Sequence, residues 1–398
     1  MRFALLTTDS LPNLGGVSNY LDGMMRSTSG AVDWLLVSTV PAGSCEDDRL
    51  PYRVRRISAA TEERGDRPGD RFLPVRKLNT YLLASGNRRN ARRLVERIIR
   101  DHDPDAVVIA CWNRISHWWC QACRDLRMPY LLITYGLEIA RPAGKYFSSA
   151  RVEDVSRASM ILAISRYTAG LTRSISYEDI PMEVLNPGIC PESMTDVSTG
   201  YAAEVRDQLN IRGDFILSLG RLIHRKGFDL AVKAFDRIAG DHPDIKLVIA
   251  GDGDHRSEVE SAVLESPFSG RILMVGSVSD PQRDALFHEC SFFLMPNRPV
   301  ESDQEGFGIV FLQANYFGKP VIAGNNGGVP DAVEDGETGF LVDSPSVESI
   351  SNAMEKLLNE PALAGAMGRR GRRRVMERFT WNSIAEEFLR AVSVFSRD

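Results

Sequence analysis

Residues 215–238 read FILSLGRLIHRKGFDLAVKAFDRI. Phe215–Gly220 is a continuous apolar run of strand length, the pattern of a strand buried on both faces. Gly220-Arg221 and Lys226-Gly227 follow, and then Phe228, Leu230, Ala231, Ala234 and Phe235 fall at helical spacing. Strand, glycine-bearing turn and helix form the repeating unit of a parallel α/β sheet. The unit recurs in both directions along the chain. Downstream, strand-length runs fall at Lys246–Gly251, Arg271–Gly276, Phe292–Pro296, Pro320–Gly324 and Gly339–Val342. Upstream they fall at Phe3–Thr8, Trp34–Ser38, Ala106–Cys111, Tyr130–Thr134, Met160–Ile164 and Met182–Leu185. A polar break at 190–200, containing Pro191, separates the two series. The expected architecture is therefore α/β, with two doubly wound Rossmann-like domains, 1–190 and 200–379.

The chain has 398 residues, 43% hydrophobic and 25% charged. These values exclude a disordered or fibrous chain and suit two or three domains at about 150 residues each. No apolar run approaches the roughly 18 residues of a membrane-spanning helix. The opening MRFALLTTDS has too short an apolar stretch for a signal peptide. A soluble, cytoplasmic protein is expected. Six cysteines make no disulfide framework. Cys120-x-x-Cys123, near Cys111 and His117, falls short of a zinc ligand set and reads as part of a packed helix, Ile115–Leu126.

Charge is unevenly spread. Residues 1–190 hold 26 Lys and Arg against 21 Asp and Glu, whereas 191–398 hold 22 against 32. Residues 49–100 alone carry 15 basic and 5 acidic side chains. Within them Arg88, Arg89, Arg92, Arg93, Arg97 and Arg100 recur at near-helical spacing, with Leu94, Val95 and Ile98 opposite. A solvated face is the plain reading. Peripheral contact with an anionic membrane is the functional one. No RNA- or DNA-binding motif accompanies the block, so no nucleic acid partner is expected.

In open parallel sheets ligands bind beyond the carboxyl ends of the strands. There the sequence places Gly15-Gly16-Val17, whose paired glycines permit close backbone approach at a helix start. The spacing is not G-x-G-x-x-G, so a dinucleotide site is not supported. Arg221 and Lys226, five apart around a turn, can converge on one anion. Glu305-Gly306-Phe307-Gly308 follows the Phe292–Pro296 strand, with Glu305 expected at the helix start and Gln313 about two turns on, both suited to hydroxyl recognition. Phe307, Val310, Phe311 and Ala314 form an apolar stripe that reads as core. Gly327-Gly328 precedes another helix, with Asp331 in its first turn.

Taken together, this ordered set resembles the family-four retaining glycosyltransferases of GT-B fold. The motifs are Gly220-Arg221 with Lys226-Gly227, Gly251-Asp252-Gly253, Val275-Gly276-Ser277-Val278, Glu305-Gly306-Phe307-Gly308, Gly327-Gly328-Val329-Pro330, Gly336 and Gly339. The first half adds Gly15-Gly16-Val17, Ser165 and Asn186-Pro187-Gly188. The wording around Glu305 is also similar to bacterial mannosyltransferases acting on lipid-linked acceptors.

The resemblance implies two domains facing across a cleft, with the C-terminal helix, about 380–398, crossing back to the first. It implies a hexose donor linked to GDP or UDP and a glycan, glycolipid or small-molecule hydroxyl as acceptor. Arg221 and Lys226 would hold the diphosphate and Glu305 the sugar. Gly306, Phe307 and Gly308 would line the sugar site, Gln313 would meet the ribose, and Val278 the base. Gly15, Gly16 and Gly220 would approach the donor through their backbone. Tyr135 and Asn186 would touch the sugar or acceptor. No cofactor or metal is expected.

Two positions depart from the family pattern. Gln313 stands where a second glutamate is usual, and an amide still bonds a hydroxyl. Tyr135 stands where histidine is usual; with a reference pKa of about 10 it is no base at neutral pH. Two alternatives stand beside transfer: a non-catalytic sugar-nucleotide binder, which these departures encourage, and an epimerase or phosphorylase, which the fold alone does not exclude.

Overall fold

The computed structural model describes residues 1–11, 15–39, 47–57, 87–140, 145–301 and 303–396. The central part of the basic block, 58–86, lies outside the described residues. The chain divides into two compact units, Met1–Leu185 with Ile384–Asp398, and Asn186–Ser383.

The first unit holds seven strands: β1 (Arg2–Thr7), β2 (Asp33–Ser38), β3 (Arg53–Arg56), β4 (Ala106–Ala110), β5 (Tyr130–Thr134), β6 (Met160–Ala163) and β7 (Met182–Val184). They form one sheet in the order β3-β2-β1-β4-β5-β6-β7. All neighbours are parallel, with Leu5 opposite Leu36 on one side of β1 and Val108 on the other. The central strands are buried along nearly their whole length, as their unbroken apolar runs require. β3 has no counterpart in the expected strands. Its sequence, RVRR, lacks an apolar run because it lies at the sheet edge, partly exposed, where charged side chains are tolerated and guard against further pairing.

The second unit holds β8 (Phe215–Leu219), β9 (Lys246–Ala250), β10 (Ile272–Gly276), β11 (Phe292–Met295), β12 (Val321–Gly324) and β13 (Gly339–Val342). Their order is β10-β9-β8-β11-β12-β13, again parallel. Both halves are thus doubly wound, as expected. The strand order reverses at β1/β4 and at β8/β11, so segments leaving those strands collect at the crevice where such sheets bind ligands.

The last helix, Trp381–Val392, is divided between the units at Ile384. Phe388, fully buried, packs its ring 6.3 Å from Phe3 and 5.8 Å from Trp34, which ties the chain end to the first unit. Near the start of the second unit, Ile189 and Trp381 exchange backbone hydrogen bonds with Phe379 and Ile189. The outgoing and returning chain segments therefore run bonded side by side.

Cys120 and Cys123 lie in the helix Arg114–Asp125, buried in the hydrophobic core, and burial raises both thiols, Cys123 to about 12. The neighbouring polar groups serve packing. Asp154, fully buried, accepts from Trp112 at 2.8 Å, His117 at 2.7 Å and Arg124 at 2.6 Å. In the helix Asn87–His102, Ala91, Val95 and Ile98 face the core while Arg88, Arg89, Arg92, Arg93, Arg97 and Arg100 are exposed.

Candidate active site

The turn from β8 begins with Gly220 and the exposed Arg221, passes through a single 3-10 turn at His224–Lys226, and enters the helix Phe228–Ile238. Gly227 closes the turn with φ +72°, and a Cβ there would sit 2.2 Å from the Pro296 carbonyl oxygen. Only glycine lets this turn lie against the end of β11. Arg298, just beyond that end, donates its backbone N–H to the Arg225 carbonyl at 2.8 Å and pairs through its guanidinium with Asp229. The turn is thus fixed from both sides.

Lys226 Nζ lies 2.9 Å from Glu305 Oε2, and Arg225 Nη1 lies 2.5 Å from the same oxygen. Asn297 Nδ2 donates to it as well, at 3.1 Å. Arg225 Nε is also 3.2 Å from Asp303. Burial would raise the Glu305 carboxyl, but the Lys226 ammonium and Arg225 guanidinium outweigh it and hold the group down at about 2. Glu305 is therefore a carboxylate at any working pH. Arg225 was not singled out in the sequence. Its signal was adjacency to Lys226 in a turn too short to send both side chains into solvent.

Glu305 is not at the helix start. The helix runs Ile309–Tyr316, because Gly308 takes φ +91° as its N-cap, and Glu305 belongs to the preceding loop. The backbone carbonyl of Glu305 accepts from Gly328 N at 2.8 Å, and a Cβ on Gly327 would sit 2.3 Å from that carbonyl oxygen. The loop after β12 therefore presses directly on the Glu305 backbone. Asp331 falls in the first turn of the helix Val329–Ala332, as expected. Phe307 is buried, its ring 6.1 Å from Phe379, as its place in the apolar stripe leads one to expect. Gln313 is half-buried and makes no side-chain hydrogen bond among the described residues.

Arg221 stands apart from the Lys226–Glu305 pair. It is exposed, has no ion pair or hydrogen bond among the described residues, and lines a cavity of about 260 Å³ with Gly220, Gly251, Asp252, Ser277 and Val278. This cavity lies at the carboxyl ends of β8, β9 and β10. Val278, expected at the base, and Gly220 thus share one cavity with Arg221.

The remaining predicted residues, Asn186 and Gly306 excepted, are in the first unit. Gly15 is the N-cap of the helix Gly16–Thr28. A Cβ on Gly15 would meet nothing nearer than Ser18 Oγ at 3.9 Å, and one on Gly16 nothing within 4 Å, so no described side chain demands glycine there. Tyr135 follows β5, edge-on to Tyr20 at 5.7 Å. Its buried hydroxyl has no partner among the described residues, and burial raises the phenol well above its ordinary value. Its backbone N–H donates to Glu138 Oε1 at 2.6 Å, and burial lifts the Glu138 carboxyl to about 7. Asn186 is the first residue of the second unit.

Residues 202–374 match the family model described as glycosyl transferases group 1. Over 383 residues, 95% of each chain, the protein is 26% identical to the GDP-mannose-dependent alpha-(1-6)-phosphatidylinositol monomannoside mannosyltransferase of Mycolicibacterium smegmatis. It is 29% identical over 390 residues, 96% of this chain and 95% of the relative, to the GDP-mannose-dependent monoacylated alpha-(1-6)-phosphatidylinositol monomannoside mannosyltransferase of Corynebacterium glutamicum. Among solved structures, Anabaena HepE in complex with UDP and glucose superposes with a TM-score of 0.76 at 17% identity, covering 99% of this chain and all of that one. That likeness establishes the GT-B fold.

Proposed function

Because residues 202–374 of this chain are a group 1 glycosyl transferase domain, and the chain is accordingly a glycosyltransferase, we propose that it moves a hexose, with retention of anomeric configuration, from a nucleoside diphosphate sugar to a hydroxyl of a lipid-linked or glycan acceptor. The observation that carries this reading is the pairing of Lys226 with an ionised, buried Glu305, in the same β8 turn that carries the exposed Arg221, which has no partner among the described residues. Cations suit a diphosphate; a fixed carboxylate suits sugar hydroxyls. The relatives matched over nearly their whole length are named as GDP-mannose-dependent, which favours GDP-mannose as the first donor to try.

In the proposed reaction the bond from the sugar's anomeric carbon to the diphosphate breaks and a bond to the acceptor oxygen forms on the same face. The acceptor proton passes to an oxygen of the departing phosphate, so no protein nucleophile is needed. The chain's task is to stabilise the charge that develops on the leaving group, which Arg221, Lys226 and helix-start N–H groups are suited to do. Glu305 fixes the sugar, and Gln313 bonds the ribose as a neutral acceptor. Tyr135, with its hydroxyl unspent, donates to a sugar or acceptor hydroxyl. No cofactor or metal enters the scheme.

The acceptor is proposed to be lipid-linked, reached by a peripheral protein at the cytoplasmic face of an anionic membrane. The exposed arginines of the helix Asn87–His102 support this, and so do the phosphatidylinositol mannoside names of the relatives. No described helix is long and apolar enough to cross a membrane.

The test is incubation with labelled GDP-mannose, and separately UDP-hexoses, with phosphatidylinositol mannoside and glycan acceptors, and assignment of the product's anomeric configuration by NMR. A product of unchanged configuration supports the reading. Donor binding without transfer to any acceptor, or an inverted product, overturns it.

A further inference from the structure

We infer that Asn297 is a positioning residue for Glu305, holding its carboxylate for the donor sugar when Lys226 has turned to the diphosphate. This deepens the proposed function and rests on it.

Asn297 lies two residues beyond β11 and is only 1% exposed. A buried primary amide is costly unless its polar atoms are bonded. Its side chain makes one hydrogen bond among the described residues, from Nδ2 to Glu305 Oε2 at 3.1 Å, and its Oδ1 has no partner. The backbone is fixed independently: its N–H donates to Met295 at 2.9 Å, and its carbonyl accepts from the Asn326 side chain. The side chain is therefore not needed to fix its own backbone; it ties the start of the loop after β11 to the Glu305 carboxylate near the loop's end. Its one described bond is to the carboxylate.

Three donors, from Arg225, Lys226 and Asn297, converge on Glu305 Oε2, and no described group bonds Oε1. One oxygen is thus clamped and the other is left as an acceptor. Two of the donors are cations, which an incoming diphosphate attracts. Asn297 is neutral and gains little by turning to phosphate. It is the member of the set that keeps the carboxylate plane fixed at the moment the sugar must be held. A hydrogen bond to a charged group is worth a factor on the order of 10 to 100.

The experiment compares Asn297→Leu, of similar volume without a donor, with the smaller Asn297→Ser, whose hydroxyl is too short to reach. Calorimetry measures GDP and GDP-mannose affinity, and steady-state kinetics separates kcat from the donor KM. Thermal melts identify the folded variants. The expected result is GDP affinity within about twofold of wild type, loss of the extra affinity given by the sugar, and a fall in kcat on the order of 10- to 100-fold. If a folded variant keeps both the sugar's increment and kcat, the positioning role is wrong. If GDP and UDP fail to bind even the wild type, the proposed function itself fails and this inference goes with it.

Discussion

Lys226 Nζ sits 2.9 Å from Glu305 Oε2, so a cation expected to grip phosphate is held by a carboxylate expected to grip sugar. In the proposed site the pair would couple the two halves of the donor. In the proposed reaction, a diphosphate engaging Lys226 would compete with Glu305 for it and change the charge around Glu305.

The same pair makes Glu305 a stability determinant with a defined pH window. Its folded pKa of about 2 lies below the ordinary carboxylate value. Its contribution is therefore fully present above about pH 4.5 and is lost as pH falls toward 2. Glu305→Gln leaves Arg225 and Lys226 without their common anionic partner, and a loss of about 3–5 kcal/mol is expected at pH 7. Urea denaturation at pH 7 and pH 4 checks this: the gap between wild type and variant narrows at the lower pH. A gap that widens on acidification contradicts the assignment.

Gly327→Ala places a methyl group within 2.3 Å of the Glu305 carbonyl oxygen, at a backbone φ of +56°. Both effects are destabilising, by about 1–3 kcal/mol from the strained backbone alone. The displaced Glu305 loop is expected to reduce transfer more than it reduces nucleoside diphosphate binding, which parallel kinetics and calorimetry resolve.

Glu138 runs the opposite way with pH. Burial raises its carboxyl to about 7, so its contribution to stability is fully present below about pH 4.5 and is lost as pH rises through 7. Glu138→Gln keeps an acceptor for the Tyr135 N–H and removes the charge. The variant is expected to match wild type near pH 4.5 and to exceed it by on the order of 2 kcal/mol at pH 8, measured by denaturant titration. Equal stability at both pH values contradicts a raised carboxyl.

The arginine face of the helix Asn87–His102 is expected to bind vesicles containing 30% anionic lipid, with release as salt rises, since each cation near such a surface contributes about 1 kcal/mol. Replacing Arg89, Arg93 and Arg100 by Gln should abolish co-sedimentation without changing activity on a soluble acceptor. Binding that ignores both salt and substitution excludes this surface.

The fold was legible because buried parallel strands write themselves as apolar runs. All but one of the thirteen strands were anticipated to within a residue or two, and the exception, Arg53–Arg56, is an edge strand whose charges erase the signal. Sites read less completely. Lys226 and Glu305, 79 positions apart, were each marked by neighbouring glycines, but nothing in the sequence said that they touch. Arg225 is marked only by its adjacency to Lys226 and reaches Glu305 because β8 and β11 are neighbours in the sheet, whereas Asn297, which carries no spacing signal, reaches it within the loop after β11. Phe307 read as core from its apolar stripe and is buried, but nothing local said that its ring meets Phe379, far along the chain.

The central claim is that Arg221 and Lys226 hold a diphosphate. Isothermal titration of GDP and UDP into wild type, Arg221→Ala and Lys226→Ala tests it most directly. The account predicts binding of at least one nucleotide to wild type and a loss on the order of 10- to 100-fold in each variant, with melting temperature nearly unchanged for the exposed Arg221. Undiminished nucleotide affinity in both variants would contradict it.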